Sequence, residues 1–255
     1  MTVSEILIRA REELGGVSRT PELDAVWIMT EVLGVEDSSY LVAHGEEEVS
    51  PTQAARYLKL LGRRVQGEPL AYVLGWWEFY GRKFKVTKDV LVPRPATEEL
   101  VEKTIVKIDK LNKSLGRSVM VADIGTGSGC VAITLLLERD NIEMLATDIS
   151  EAALNVAKEN AKRHGVTERI KFLSGDMLEP LQGLAVDLVV SNPPYVPSAE
   201  IDRAASSPTA ETAGLAFEPR AALDGGNDGL NMVRTLQNQG LPYIVETVGG
   251  KIMEG

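Results

Sequence analysis

The stretch Asp123-Ile124-Gly125-Thr126-Gly127-Ser128-Gly129 constrains the fold most, because it lies between a strand pattern and a helix pattern. Val119-Met120-Val121-Ala122 runs into it as a strand, and a helix is expected directly after Gly129. Glycines at such a junction let the backbone turn tightly and come close to a ligand. The ligand's polar groups can then meet the free N–H groups of the helix start. Around this turn, strand and helix patterns alternate. A helix opens at Thr97 and runs through Leu100, Val101, Ile105 and Ile108. Strand Met144–Thr147, helix Glu151–Arg163 and strands Ile170–Leu173 and Leu188–Ser191 follow. This order implies right-handed crossovers and an α/β domain with a parallel sheet covered on both faces.

The chain ahead of this domain reads differently. Ser4 as a cap, the amphipathic run Glu5–Leu14 and the stop Gly15-Gly16 predict a first helix. Pro21 opens a second, with Ala25, Ile28, Met29, Val32 and Leu33 at helical spacing, and Ser50-Pro51 opens a third through Tyr57, Leu58 and Leu61. Residues 1–75 are therefore expected to form a small helical bundle. In residues 76–92, Phe79, Phe84, Val86, Val90 and Val92 alternate with polar residues, which predicts a β-hairpin linker turning near Thr87-Lys88-Asp89. Residues 93–255 make up the α/β domain. Within it, the Ser-, Ala- and Thr-rich residues 198–216 read as a loop.

Three features converge at the carboxyl ends of successive strands. The glycine-rich turn is one. Asp148 is the second, 19 residues past Gly129 (148 − 129), where a carboxylate can accept from ribose hydroxyls. Asp176 is the third, placed to accept from an adenine amine. The turn lacks the G-x-G-x-x-G spacing of a pyrophosphate site. Asp123 just before it would repel pyrophosphate, yet it could hold a cationic amino group. Asn192-Pro193-Pro194-Tyr195 follows the fourth strand at the same sheet edge. The prolines restrict φ and remove two donors, so that asparagine and main-chain carbonyls are offered as acceptors beside a flat ring. That set suits a planar –NH2 group. Its delocalised lone pair is a poor nucleophile until hydrogen bonds hold the nitrogen for in-line attack on a sulfonium methyl.

Asp123–Gly129 together with Asn192–Tyr195 resembles the class I methyltransferases that act on nitrogen, with a Rossmann-like fold. Pro93-Arg94-Pro95-x-Thr97-Glu98-x-Leu100-Val101-Glu102 is similar to the HemK/PrmC family of protein-(glutamine-N5) methyltransferases. Gly67-Glu68-Pro69-x-x-Tyr72-x-x-Gly75 and Glu218-Pro219-Arg220-x-Ala222-Leu223-x-Gly225-Gly226-x-Asp228-Gly229-Leu230 agree, and the likeness spans nearly the whole chain. The resemblance implies S-adenosyl-L-methionine as methyl donor, S-adenosyl-L-homocysteine as product, and the Gly-Gly-Gln glutamine of class I peptide chain release factors as acceptor. Asn192, Pro193, Pro194 and Tyr195 would form the catalytic set, with the Asn192 side chain and the Pro193 carbonyl holding the substrate amide. Asp123, Gly125, Thr126, Gly127, Ser128, Gly129, Asp148, Asp176, Met177 and Asn192 would line the cofactor, and residues 1–75 would recognise the release factor.

Two departures stand out. Ala96 occupies a position where the family often has Asp, leaving Thr97 as the expected helix cap. Such sheets normally have seven strands, and residues 249–255 read as the start of the fifth, so the last two strands are expected to be missing.

Other readings are weaker. A DNA adenine methyltransferase uses the same tetrapeptide on a flipped base. The net charge of −10 and the lack of a DNA-reading region oppose that, and no nucleic-acid partner is expected. A ribosomal-protein glutamine methyltransferase and a cofactor-binding protein without activity are the remaining alternatives. No apolar run approaches the roughly 20 residues that cross a bilayer, the N-terminus has no secretory pattern, and Cys130 is the only cysteine. A cytoplasmic protein with no membrane partner is expected. His44, His164 and Cys130 show no metal-ligand spacing, so no metal is expected. Glu218 is open between a structural carboxylate and a wall of the substrate cleft.

Overall fold

The computed structural model describes residues 1–207, 209, 212–238, 242–247 and 251–255. Its contacts divide the chain into two units, Met1–Gly75 with Ala204–Phe217, and Trp76–Arg203 with Glu218–Gly255.

The first unit is helical. It contains α1 (Val3–Leu14), α2 (Pro21–Leu33), α3 (Ser39–Ala43), α4 (Pro51–Val65) and α5 (Leu70–Leu74). The α1 cap is Thr2 rather than Ser4. The Thr2 hydroxyl accepts from the Glu5 amide while the Glu5 carboxylate accepts from the Thr2 amide, which is a capping box. Ser50 and Gln53 cap α4 in the same way. The apolar stripes meet where α1, α2 and α4 pack, burying Ile6, Leu14, Ile28, Met29, Tyr57 and Leu61. Tyr57 is fully buried, and its hydroxyl donates to the Ala25 carbonyl at 3.2 Å, so its polar end is satisfied. Residues 204–217, expected to be part of a loop in the α/β domain, complete this unit. A Cβ on Gly67 would lie 3.5 Å from Ala213, and one on Gly214 would lie 3.5 Å from Pro69. The 198–216 region is also largely helical, with α9 over Ser198–Ser206 and a 3-10 turn over Ala213–Phe217. Residues 208, 210 and 211 of that stretch lie outside the described residues.

The second unit opens with a hairpin of β1 (Trp76–Phe79) and β2 (Arg82–Lys85), which turns at Tyr80-Gly81 rather than near Thr87–Asp89. Phe79 and Phe84 are buried in the core of this unit, so the hairpin is part of the α/β unit and not a free linker. There follow α6 (Ala96–Leu115), β3 (Val119–Ile124), α7 (Cys130–Glu138), β4 (Ile142–Asp148), α8 (Glu151–Arg163), β5 (Ile170–Ser174) and β6 (Leu188–Ser191). After α9 come α10 (Asn231–Gln237), β7 (Tyr243–Thr247) and β8 (Lys251–Glu254).

The sheet order is β5-β4-β3-β6-β7-β8, with the first five strands parallel and β8 antiparallel to β7. The fifth parallel strand thus lies at 243–247, ahead of the expected 249–255. Residues 251–254 fold back as an edge strand, and Gly249 and Gly250 lie outside the described residues. Successive residues face opposite sides, as the pleat requires. Val121, Met144, Val190 and Ile244 join one buried cluster with α6 and α7, while Ala122, Leu145, Val189 and Val245 join another with Val233 and Leu236 of α10. Such a sheet, apolar on both faces, is the α/β arrangement the strand-helix alternation called for.

Candidate active site

Strand order reverses between β3 and β6, and the crevice beyond the carboxyl ends of a parallel sheet at such a point is a natural ligand site. Ile124 and Ser191 are register partners across that point, and the Ser191 hydroxyl donates to the Ile124 carbonyl at 2.8 Å. The glycine-rich turn and Asn192 therefore start side by side. Between them lies a cavity of about 440 Å³.

In the turn, Gly125, Gly127 and Gly129 have φ of 70°, 55° and 79°, values that L side chains rarely adopt. Gly129 is needed twice over, because a Cβ there would come within 2.9 Å of Ile133 and 3.1 Å of Ala157. The Thr126 hydroxyl donates to Asp123 Oδ2 at 2.7 Å and its amide to the Thr147 carbonyl at 2.9 Å. Asp148 Oδ2 accepts from the Gly127 amide and Oδ1 from the Ser150 amide, each at 2.9 Å, so the carboxylate locks the turn. Asn160, fully buried in α8, accepts from the Lys85 amide and donates to the Lys85 and Ser128 carbonyls, at 2.8–2.9 Å. One side chain thus stitches the turn to the end of the hairpin. Met177, at φ 46°, is held in the left-handed region at the cavity wall.

Burial sets the electrostatics. Asp123 is only 2% exposed, and desolvation pushes its carboxyl up to about 7 against the opposing Thr126 hydrogen bond. Burial also raises Asp148, opposed by the backbone N–H groups it accepts from. The Cys130 thiol is pushed up to about 12 by burial, which keeps it protonated and suits packing rather than nucleophilic work.

Asp123, Gly125, Thr126, Gly127, Ser128, Asp148, Asp176, Met177, Asn192 and Pro194 all line the cavity. Gly129, Pro193 and Tyr195 adjoin lining residues in the chain but are not themselves part of the lining. Asn192 Nδ2 donates to Thr97 Oγ1 at 3.2 Å, while Asn192 Oδ1 is buried with no hydrogen-bond partner. Thr97 does not cap its helix, as its side chain makes no cap bond; it faces Asn192 instead. Sequence reasoning missed Asp89, Pro219, Asn231 and Met232 in the lining. The Glu218–Leu230 motif was the available signal for Pro219, while Asn231 and Met232 lie just past its end.

That motif forms a wall. Asp224 bridges to Val196, the Val196 amide donates to the Leu223 carbonyl at 2.8 Å, and the Gly225 amide donates back to the Val196 carbonyl at 3.0 Å. A Cβ on Gly225 would sit 2.6 Å from the Pro194 carbonyl and 2.8 Å from the Tyr195 Cα, so only glycine fits. Glu218, with its side chain 3% exposed, accepts from Arg94 at 2.5 Å, and its Oε2 has no partner. Burial raises its pKa against the pull of Arg94. Glu218 is the anchor of the wall.

Known proteins share this plan. A family model described as the PrmC N-terminal domain matches residues 5–75, and one described as the methyltransferase small domain matches residues 99–221. The release factor glutamine methyltransferase of Moorella thermoacetica is 41% identical over 92% of this chain and 79% of its own length. That of Bordetella pertussis is 42% identical over 82% and 73%, and that of Coxiella burnetii 35% identical over 96% and 83%. The chain belongs to the release factor glutamine methyltransferase family. As a member of that family it is an S-adenosylmethionine-dependent methyltransferase with a Rossmann-like catalytic unit. The donor set suits that cofactor. A buried carboxylate at Asp123, a second at Asp148, backbone amides of a glycine turn and apolar walls offer matching partners to an amino group, ribose hydroxyls and a flat base.

Proposed function

We propose that this chain transfers a methyl group from S-adenosyl-L-methionine to the side-chain amide nitrogen of the glutamine in the Gly-Gly-Gln loop of class I peptide chain release factors. One observation carries the reading. Asn192 Oδ1 is a buried acceptor without a partner, beside the glycine turn. Leaving such a group unpaired costs roughly 1–3 kcal/mol, so the site is built for a donor that arrives with the substrate. An amide –NH2 is such a donor.

The cofactor supplies a methyl group on an electrophilic sulfonium. Gly125–Gly129, Asp148, Asp176 and Met177 would hold it, with Asp123 available to its cationic amino group. Asn192 Oδ1 and the Pro193 carbonyl accept from the two amide hydrogens and fix the nitrogen for in-line attack, with Tyr195 against the amide plane. Bound there, the donor would give up its methyl from sulfur to the amide nitrogen, ending as S-adenosyl-L-homocysteine, with one amide proton passing to water. The helical unit recognises the release factor. Its place of work would be the cytoplasm, beside the ribosome; no helix among the described residues is long and apolar enough to cross a membrane.

The test is transfer of labelled methyl to three acceptors: a release factor, its Gln→Ala variant and duplex DNA. Label is expected on the intact factor alone. Equal labelling of the Gln→Ala factor, or transfer to DNA, would overturn the reading.

A further inference from the structure

We propose that Thr97 is a positioning residue that sets which end of the Asn192 amide faces the substrate, an inference that rests on the glutamine reading above. An asparagine side chain is two-ended. Half a turn about its last bond exchanges an acceptor for a donor with almost no change in shape. Only the acceptor end can hold a substrate –NH2, so the enzyme needs something that engages the other end.

Thr97 Oγ1 is that partner, 3.2 Å from Asn192 Nδ2, and this contact leaves Oδ1 as the atom without a partner. Both residues line the cavity. Thr97 is 1% exposed and lies in the first turn of α6, whose Leu100 and Val101 are fully buried in the core. Its β-branch limits χ1 and so the places that Oγ1 can occupy. Asn192, one residue past β6, is placed from the sheet side. Helix and sheet thus hold the two halves of the pair independently. The Thr97 hydroxyl is also spared from the helix start, where no side-chain cap bond forms.

The experiment compares Thr97→Val, which keeps the shape but removes the hydroxyl, with Thr97→Ser, which keeps the hydroxyl. Thr97→Val is expected to lower kcat about 5- to 10-fold while KM and S-adenosylhomocysteine affinity stay within about twofold, the signature of a contact felt in the transition state. Thr97→Ser should stay near wild type. In 1H–15N spectra of the free enzyme, the Asn192 side-chain amide pair should move in Thr97→Val and hold its position in Thr97→Ser. Wild-type kcat in Thr97→Val, an unmoved Asn192 signal, or equal damage from both substitutions would each overturn the proposal. The spectrum needs no substrate. A wild-type enzyme that shows the Thr97-dependent signal yet methylates no release factor would therefore overturn the glutamine reading and leave the pairing standing.

Discussion

At the scale of single residues, Asn192 and Asp123 carry opposite kinds of strain. Asn192 presents a buried acceptor with no hydrogen-bond partner, the one proposed for the substrate amide. Asn192→Ala should therefore lower turnover about 10- to 100-fold while largely sparing cofactor affinity, as measured by single-turnover methyl transfer and calorimetry. Asp123 is a carboxyl lifted to about 7 by burial. Because its folded pKa lies above the unfolded value, its contribution to stability is full below about pH 4 and is lost as pH rises through about 7. Cofactor binding carries the reverse sign, since a cationic amino group favours the ionised carboxylate. S-adenosylhomocysteine should bind roughly tenfold more weakly at pH 6 than at pH 8, and Asp123→Asn should flatten that slope. A slope that persists in Asp123→Asn would assign the titration elsewhere.

At the scale of elements, what was legible in the sequence depended on distance along the chain. The glycine turn, Asp148 and Asn192 could be read as neighbours because each ends a strand, and a parallel sheet gathers its strand ends at one edge. The partner of Thr97 was not legible. It lies 95 residues away, and the local pattern of a threonine before two glutamates imitates a helix cap. The hairpin was placed by its aromatic alternation but given the wrong turn, because Thr87-Lys88-Asp89 has turn chemistry of its own, with Thr87 accepting from the Val90 amide. The fifth strand was expected at 249–255 and lies at Tyr243–Thr247, a short apolar run that does not alternate. Glu218 shows how a distant pair can matter more than a local pattern. Arg94→Met should destabilise the fold by roughly 3 kcal/mol, since it strands a buried carboxylate, and Arg94→Met with Glu218→Gln should recover part of that loss. Denaturant unfolding of the single and double variants measures both.

At the scale of the whole molecule, the chain divides into two units with separate cores. Among the described residues, every one that lines the cavity belongs to the α/β unit. Leu14→Ala, which opens a hole in the fully buried core of the helical unit, should cost about 2–5 kcal/mol in thermal or urea unfolding while leaving S-adenosylhomocysteine affinity intact. A parallel loss of cofactor affinity would show that the units do not work separately.

The chain crosses between those units three times, at Gly75–Trp76, at Arg203–Ala204 and at Phe217–Glu218. This threading sets a timetable for synthesis. The first 75 residues leave the ribosome long before Ala204–Phe217, the piece that completes their packing, has been made. The wall that begins at Glu218 is made only after that piece. An enzyme whose proposed substrate ends translation would thus have its own helical unit closed only once Ala204–Phe217 has been made, and its own active site walled only after that.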